Sequence, residues 1–298
     1  MVGVVPLRYG TAFKKAFSDP EVFSAFAGDI LGVKLHFTRI EQEKAFLPPV
    51  GKVDVRFDLY GEDVENRVIV ELQHVREDDT FSRFHYYHLV AQLEQVTSSK
   101  SYAINRTVYT IVVLTRLPQD ERLRFDMASQ SADLITHEGR PLGLFHHRIV
   151  FVNPRAVSPS TPPVVREWLL LFEDSLDRRI DESAFPSPVF RKVIDTIQED
   201  HISPGDMYWL KEEAGWEDSK DASFREGKAE GKAEGKAEGK AEGLREGKTE
   251  GLRQAIADLC DVLGIALDAD RRAHLDSLST EDLDALRAEL KRTKRWPT

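Results

Sequence analysis

The sequence predicts an α/β or α+β fold with a mixed central sheet flanked by helices, followed by an all-helical C-terminal extension. Two kinds of segment predict the sheet. Apolar and polar residues alternate over residues 52–60 and 67–73, as in half-buried strands, whereas residues 108–114 are nearly all apolar, as in a strand buried on both faces. Apolar residues at helical spacing around these segments predict the flanking helices.

The segment before the sheet is predicted to be helical. Phenylalanine and aliphatic residues recur at helical spacing over residues 11–31, and Gly32 is a suitable C-terminal cap. A short strand is expected next, at residues 34–40.

The two alternating segments are predicted to pair as a β-hairpin through a turn at residues 61–63. The first strand places its apolar residues on one face, namely Val53, Val55, Phe57 and Leu59. Asp54 and Asp58 lie on the opposite face, and Glu71 and Gln73 share one face of the second strand. The acids of both strands therefore face one surface if the register allows.

The rest of the N-terminal region alternates between helix and strand. Residues 80–99 lack glycine and proline and are predicted to be helical. The apolar strand at 108–114 follows, and residues 148–152 are a weaker strand candidate. We assign residues 1–155 to one domain on this pattern.

A helical extension is predicted for residues 156–222. Its helices cover residues 164–172, preceded by two prolines, and then residues 189–198 and 204–214. Residues 252–298 are predicted to form a C-terminal helical module, since apolar residues recur from Ile256 and a second helix start follows at Ser279. The module is a candidate site of homo-oligomerisation.

A low-complexity repeat occupies residues 223–251, where Glu-Gly occurs seven times at a period of four, mostly as Glu-Gly-Lys-Ala. Two interpretations stay open. Each interior glycine weakens a helix by ~1 kcal/mol relative to alanine, and like charges stack at i,i+4, which favours a flexible spacer. Alternatively, the repeat is a helix whose glycine stripe packs on another chain.

Composition limits the class of protein. Cys260 is the single cysteine, so an intrachain disulfide is excluded and a cytoplasmic location is expected. We expect no membrane span, since no apolar run approaches ~20 residues. The net charge of −10 arises mainly in the C-terminal half, because residues 1–155 hold 19 Lys+Arg against 20 Asp+Glu. Nucleic-acid binding depends on local basic patches and stays compatible with this balance.

The predicted hairpin carries the candidate catalytic residues. Asp54 and Glu71 are candidate ligands for Mg²⁺ (or Mn²⁺), which prefers hard oxygen donors, and the Gln73 amide is placed to orient a water. Asp58 is expected to be a poor co-ligand because it lies ~13 Å along the strand from Asp54. The alternative is that these acids are ordinary residues on a solvated strand face.

Several segments resemble the PD-(D/E)XK nuclease superfamily. Val53-Asp54-Val55 and residues 68–73 are similar to its catalytic hairpin, and in particular to the Rpn family of recombination-promoting, transposase-associated nucleases, where Glu-x-Gln stands for Glu-x-Lys. Residues 12–17 and 30–32 resemble the first helix of that family. The helix after the hairpin is similar at Arg83, Tyr87, Gln92 and Tyr102. The resemblance covers roughly residues 9–117.

The resemblance implies a restriction-endonuclease-like core and a metal-dependent DNA endonuclease. It implies Asp54 and Glu71 as metal ligands and Gln73 as the equivalent of the catalytic lysine. An acid that often precedes the Phe-Lys pair of the first helix has no counterpart here, where Tyr9-Gly10-Thr11 stands.

Four further residues are candidate DNA contacts. Arg83, Lys14 and Lys15 are placed to contact phosphates, and Tyr87 is placed either to stack or to pack its helix on the sheet. The alternative function is a catalytically weak or inactive nuclease-fold module that binds DNA or protein and oligomerises through its C-terminal helices.

Overall fold

The computed structural model describes residues 1–46, 55–74, 81–96, 103–118 and 120–297. The chain divides into two compact units, Met1–Trp216 and Glu217–Thr298. The first unit holds the sheet, and the second is helical. The boundaries that the sequence predicts between domains and segments, at residues 155, 222 and 251, remain predictions.

The described elements follow one another as strands and helices. The strands are β1 (Val2–Gly3), β2 (Ile40–Phe46), β3 (Val55–Glu62), β4 (Asn66–Gln73), β5 (Thr107–Leu114), β6 (Met127–Ser131), β7 (Arg148–Val152) and β8 (Arg179–Ile180). The helices are α1 (Gly10–Phe17), α2 (Pro20–Leu31), α3 (Ser82–Leu93), α4 (Pro163–Ser175), α5 (Pro188–Ile197), α6 (Pro204–Val262), α7 (Ala269–Ser277) and α8 (Thr280–Thr293).

The main sheet is mixed and has the strand order β2-β3-β4-β5-β7-β6. Its first three strands are antiparallel, β4, β5 and β7 run parallel, and β6 returns antiparallel to β7. Helices α1, α2, α4 and α5 pack on one face, and α3 packs on the other. The predicted α/β class with a mixed, helix-flanked sheet is confirmed.

The predicted single helix at residues 11–31 is wrong, because the chain forms α1 and α2 with a break between them. The first helix ends at Phe17, and Asp19 caps the second by accepting hydrogen bonds from the backbone N–H groups of Glu21 and Val22. Pro20 favours this break since proline suits the first position of a helix. Gly32 caps α2 in the left-handed conformation, as predicted (φ 68°).

Two further predictions near β2 and β3 are wrong. The strand expected at residues 34–40 begins only at Ile40. Gly61 lies inside β3 rather than in a turn. Glycine is required there by packing, because a methyl group at this position would come within 2.8 Å of the Phe23 ring. The turn follows Asp63, whose carboxylate accepts a hydrogen bond from the Glu65 N–H.

The predicted alternation in β3 is also interrupted. Phe57 packs in the cluster under α3, whereas Leu59 packs in the cluster on the opposite face. A regular strand would put both on one face because side chains alternate with a period of two. The regular pattern therefore changes at Asp58.

The repeat is helical throughout in this structure, as part of the 59-residue helix α6. Its seven glycines lie in open surroundings: a methyl group at any of them would meet no other described atom within 4 Å. In the second unit, the end of α6 packs against α7 and α8 through Ile256, Leu275 and Leu283. Ser279 caps α8 as predicted. None of the helices in the described ranges has the length and apolar character of a membrane span.

Candidate functional site: an acid cluster where two strands separate

Three acidic residues occupy neighbouring positions on β2, β3 and β4, and we call Glu43, Asp58 and Glu71 the acid cluster. Glu43 faces Asp58, because the pairs Gln42↔Leu59 and Lys44↔Phe57 lie on either side of them. The pair Leu59↔Val70 ends the regular β3–β4 ladder, so Asp58 and Glu71 come next in register.

The carboxylates replace the backbone bonds that would continue this ladder. The Asp58 N–H donates to Glu71 Oε1 (3.1 Å), and the Leu72 N–H donates to Asp58 Oδ2 (2.9 Å). Glu43 adopts a left-handed backbone conformation (φ 52°), which is strained for a residue with a side chain and is a recurrent feature of functional sites. The regular backbone pairing between β3 and β4 thus ends at the acid cluster.

Burial makes the negative charges of Asp58 and Glu71 unfavourable. Glu71 is only 3% exposed, and burial raises its pKa well above the ordinary range, with a further rise from the negative charge of Asp58. Burial also raises the pKa of Asp58, although the Leu72 N–H and the Lys14 ammonium act in the opposite direction. A bound cation or a shared proton would relieve this repulsion.

Lys14 brings a positive charge from α1. Its ammonium donates a hydrogen bond to Glu43 and lies 4.0 Å from Asp58 Oδ1. Burial alone would lower the pKa of Lys14, but the hydrogen bond to Glu43 and the surrounding carboxylates raise it overall. Lys15 points elsewhere and pairs with Asp206 Oδ2 at 2.7 Å. Only the first of the two predicted DNA-contacting lysines reaches the acid cluster.

Gln73 and Arg83 meet beside Glu71. Arg83 Nη2 donates to Gln73 Oε1 (2.5 Å), and Gln73 Nε2 donates to the His74 carbonyl (2.8 Å). The guanidinium of Arg83 lies 5.6 Å from the centre of the Tyr87 ring and remains exposed. The amide predicted to orient a water is thus held by an arginine.

Tyr87 packs against the sheet, and its predicted DNA contact stays a prediction. Its ring meets Phe57 edge-on, with 5.7 Å between ring centres. Burial raises the pKa of its hydroxyl; Arg83 opposes the shift, and the charges of Glu71 and Asp58 add to it. The residue therefore supports the sheet while its hydroxyl remains within electrostatic reach of the acids.

Asp54, predicted as a metal ligand, lies outside the described residues. The expectation that Asp58 is a poor co-ligand stays a prediction, but the structure places Asp58 directly beside Glu71, which the sequence analysis did not anticipate. The pairing was missed because the turn was predicted at residues 61–63, whereas the observed register, with Glu62 opposite Arg67, centres the turn later and brings Asp58 opposite Glu71. Glu43 had no comparable signal in the sequence.

The donor atoms of the pair suit a divalent cation. Each carboxylate uses one oxygen for a backbone N–H, and among the described residues Glu71 Oε2 has no hydrogen-bond partner. Mg²⁺ commonly binds through one or two carboxylates and keeps several waters. Within the ranges that the structure describes, no group of three or more His, Cys, Asp or Glu side chains is arranged to hold a metal ion.

The chain matches no protein-family model, no curated protein and no solved structure with which it was compared. The resemblance to Rpn nucleases therefore stays a prediction that rests on the residues quoted for it.

Proposed function

We propose that this protein is a metal-dependent DNA endonuclease that hydrolyses phosphodiester bonds, of the recombination-promoting type that the sequence resembles. One observation carries the proposal: two acids with raised pKa, Asp58 and Glu71, lie side by side at the separated end of a hairpin, with Lys14 and Arg83 nearby. The mixed sheet flanked by helices is compatible with a restriction-endonuclease-like core. We propose that the protein works in the cytoplasm.

Asp58 and Glu71 would hold Mg²⁺ or Mn²⁺, together with Asp54 if that residue reaches them. A bound ion of this kind neutralises phosphate charge and lowers the pKa of its water. The raised pKa values of both carboxyls support this assignment because a cation would offset their mutual repulsion.

The basic residues would bind the DNA backbone. Gln73 cannot supply the positive charge of a lysine, whereas the Lys14 ammonium lies 4.0 Å from Asp58 and reaches the same acids from α1. Arg83 presents an exposed guanidinium that is oriented by Gln73 and by neighbouring rings. Arginine in such a position suits two-point binding of a phosphate.

Cleavage of supercoiled plasmid in Mg²⁺, Mn²⁺ or EDTA tests the proposal. We expect metal-dependent nicking by the native protein, a large loss with Asp58→Asn, and a loss with Asp54→Asn if that residue is a ligand. Glu41→Gln is the matched control, because Glu41 lies on the same strand as Glu43 and pairs with Lys44 outside the cluster. Absence of cleavage by the folded native protein with every metal would refute the endonuclease.

The second candidate is a catalytically weak or inactive module that binds DNA or protein and assembles through its C-terminal helices. It is favoured by the ion pair between Lys14 and Glu43 and by the bond between Arg83 and Gln73, since both occupy cations that a phosphate would need. Calorimetric titration separates the two candidates. A binding module needs no Mn²⁺ site, whereas the endonuclease should lose Mn²⁺ binding with Glu71→Gln.

A further inference from the structure

The start of α6 is fixed beside the acid cluster by its contacts with α1. Glu213 caps the N-terminus of α1, accepting hydrogen bonds from the N–H groups of Gly10 (2.5 Å) and Thr11 (3.2 Å). The ion pair between Lys15 and Asp206 adds a second attachment. These contacts hold the first turns of α6 against the helix that carries Lys14.

An open pocket of about 460 Å³ lies between these two helices. It is lined by Thr11, Lys14, Trp209, Glu212, Glu213 and Trp216. Trp209 and Trp216 are 62% and 64% exposed, and they are seven residues apart, so they share one face of the helix. Two exposed tryptophans on one face are unusual in a folded protein and indicate a contact surface.

The polar groups of the pocket define the kind of ligand. Glu213 is already satisfied by two N–H groups of α1, whereas the Glu212 carboxylate has no partner among the described residues and can accept a hydrogen bond. Lys14 lines this pocket and also contacts the acid cluster. These groups would complement a flat, aromatic ligand that carries a hydrogen-bond donor and is connected to a negative charge near Lys14.

We propose that this pocket binds an unpaired nucleobase of the DNA strand whose phosphate reaches the acid cluster. The base would stack on Trp209 or Trp216 and donate its exocyclic amino group to Glu212, as amino-bearing bases do with carboxylates. A base within a duplex cannot offer its face to a tryptophan. The protein would then act on single-stranded or locally opened DNA. The position of the phosphate rests on the proposed function, whereas base binding does not.

A cationic side chain is the rival occupant, because tryptophan faces and a carboxylate also attract cations. The charges that line the pocket disfavour a cationic occupant. Lys14 already lines the pocket, and the Glu213 carboxylate is engaged by α1. A second cation would meet repulsion that a neutral base avoids.

Tryptophan fluorescence of the full-length protein in EDTA, titrated with single-stranded oligonucleotide, tests the inference without cleavage. We expect quenching, with affinity reduced about five- to 150-fold by Trp209→Leu or Trp216→Leu, the range found when a stacking partner of one base is removed. Duplex of the same sequence and a strand with abasic sites should bind more weakly. Trp296→Phe is the control, since Trp296 packs in the C-terminal unit.

Native affinity in both folded tryptophan variants, or equal binding of duplex and single strand, would overturn the inference. Quenching by a lysine-rich peptide and not by the oligonucleotide would instead identify a cation site. The two proposals fail separately. Plasmid cleavage without quenching retains the endonuclease and removes the base pocket, whereas quenching without cleavage by any metal does the reverse.

Discussion

The acid cluster and the repeat in α6 use similar charged residues in opposite surroundings. Glu71 is buried between strands and held by a backbone N–H, whereas the repeat glutamates, such as Glu234, are exposed on a helix. The chemical state of Glu71 is therefore set by tertiary packing, and burial raises its pKa. The same residue type is therefore a candidate reactive group where it is buried in the sheet, and a solubilising surface group where it is exposed on the repeat helix.

The same substitution in the two regions gives the sharpest contrast. We expect Glu71→Gln to reduce metal-dependent plasmid cleavage about 10²- to 10³-fold, the loss typical of removing one group that stabilises developing charge. Glu234→Gln should cleave as the native protein does, because its side chain is exposed. Thermal unfolding should show that Glu71→Gln is at least as stable as the native chain, since its amide oxygen can accept the bond from the Asp58 N–H without the cost of ionising a buried group beside Asp58. Equal losses in both variants would contradict the contrast.

Glycine offers a second contrast, in stability. Gly61→Ala should lower the free energy of unfolding by about 1–3 kcal/mol, because the new methyl group would lie 2.8 Å from the Phe23 ring. Gly235→Ala should instead strengthen its helix by up to ~1 kcal/mol, since it meets open space there. Urea unfolding measures the first change, and helix content by circular dichroism measures the second. A destabilised Gly235→Ala would show that the stripe is in close contact with another chain.

Histidines extend the contrast between buried and exposed groups to pH. Burial lowers the pKa of His88 to about 3, and the nearby His147 and His85 contribute to that shift. The unfolded chain, with an ordinary pKa of about 6.5, binds a proton that the folded chain excludes. Stability should therefore fall as pH drops from 6.5 toward 3, by up to ~1.4 kcal/mol per pH unit for this group.

Replacing His88 by Gln should flatten that part of the pH profile, measured by urea unfolding at several pH values. Gln retains polar atoms toward Thr110, whose hydroxyl lies 2.9 Å from the His88 ring nitrogen. His36→Gln is the matched control because His36 is exposed, and its profile should follow that of the native protein. A native slope in His88→Gln would assign the acid sensitivity to other groups.

The sequence predicts those parts of the fold that depend on local pattern. The strands at β4, β5 and β7 follow from alternation or from a continuous apolar run, and the caps at Gly32 and Ser279 follow from residue type. Strand β6 was missed because Met-Ala-Ser-Gln-Ser has little strand propensity and lies at a sheet edge, where pairing with β7 holds it.

The candidate site was predicted only in part, because its geometry depends on register. Glu71 and Gln73 were identified from the sequence, but the partner of Glu71 depends on which residue of β3 lies opposite it. The approach of Lys14 depends on how α1 packs against the sheet, and that of Arg83 on how α3 does. Local propensity left the repeat open between a spacer and a helix, and the structure shows it as part of a continuous helix despite its interior glycines.

The ladder positions taken over by carboxylates give this sheet two built-in reporters. The amide protons of Asp58 and Leu72 are bonded to titratable oxygens, whereas the neighbouring pair Leu59↔Val70 belongs to the ordinary ladder. In an NMR titration, those two amide resonances should shift when the acids gain a proton or a metal ion, and the resonances of the ordinary ladder should move much less. The occupancy of the site is thus readable from the backbone, independently of any reaction.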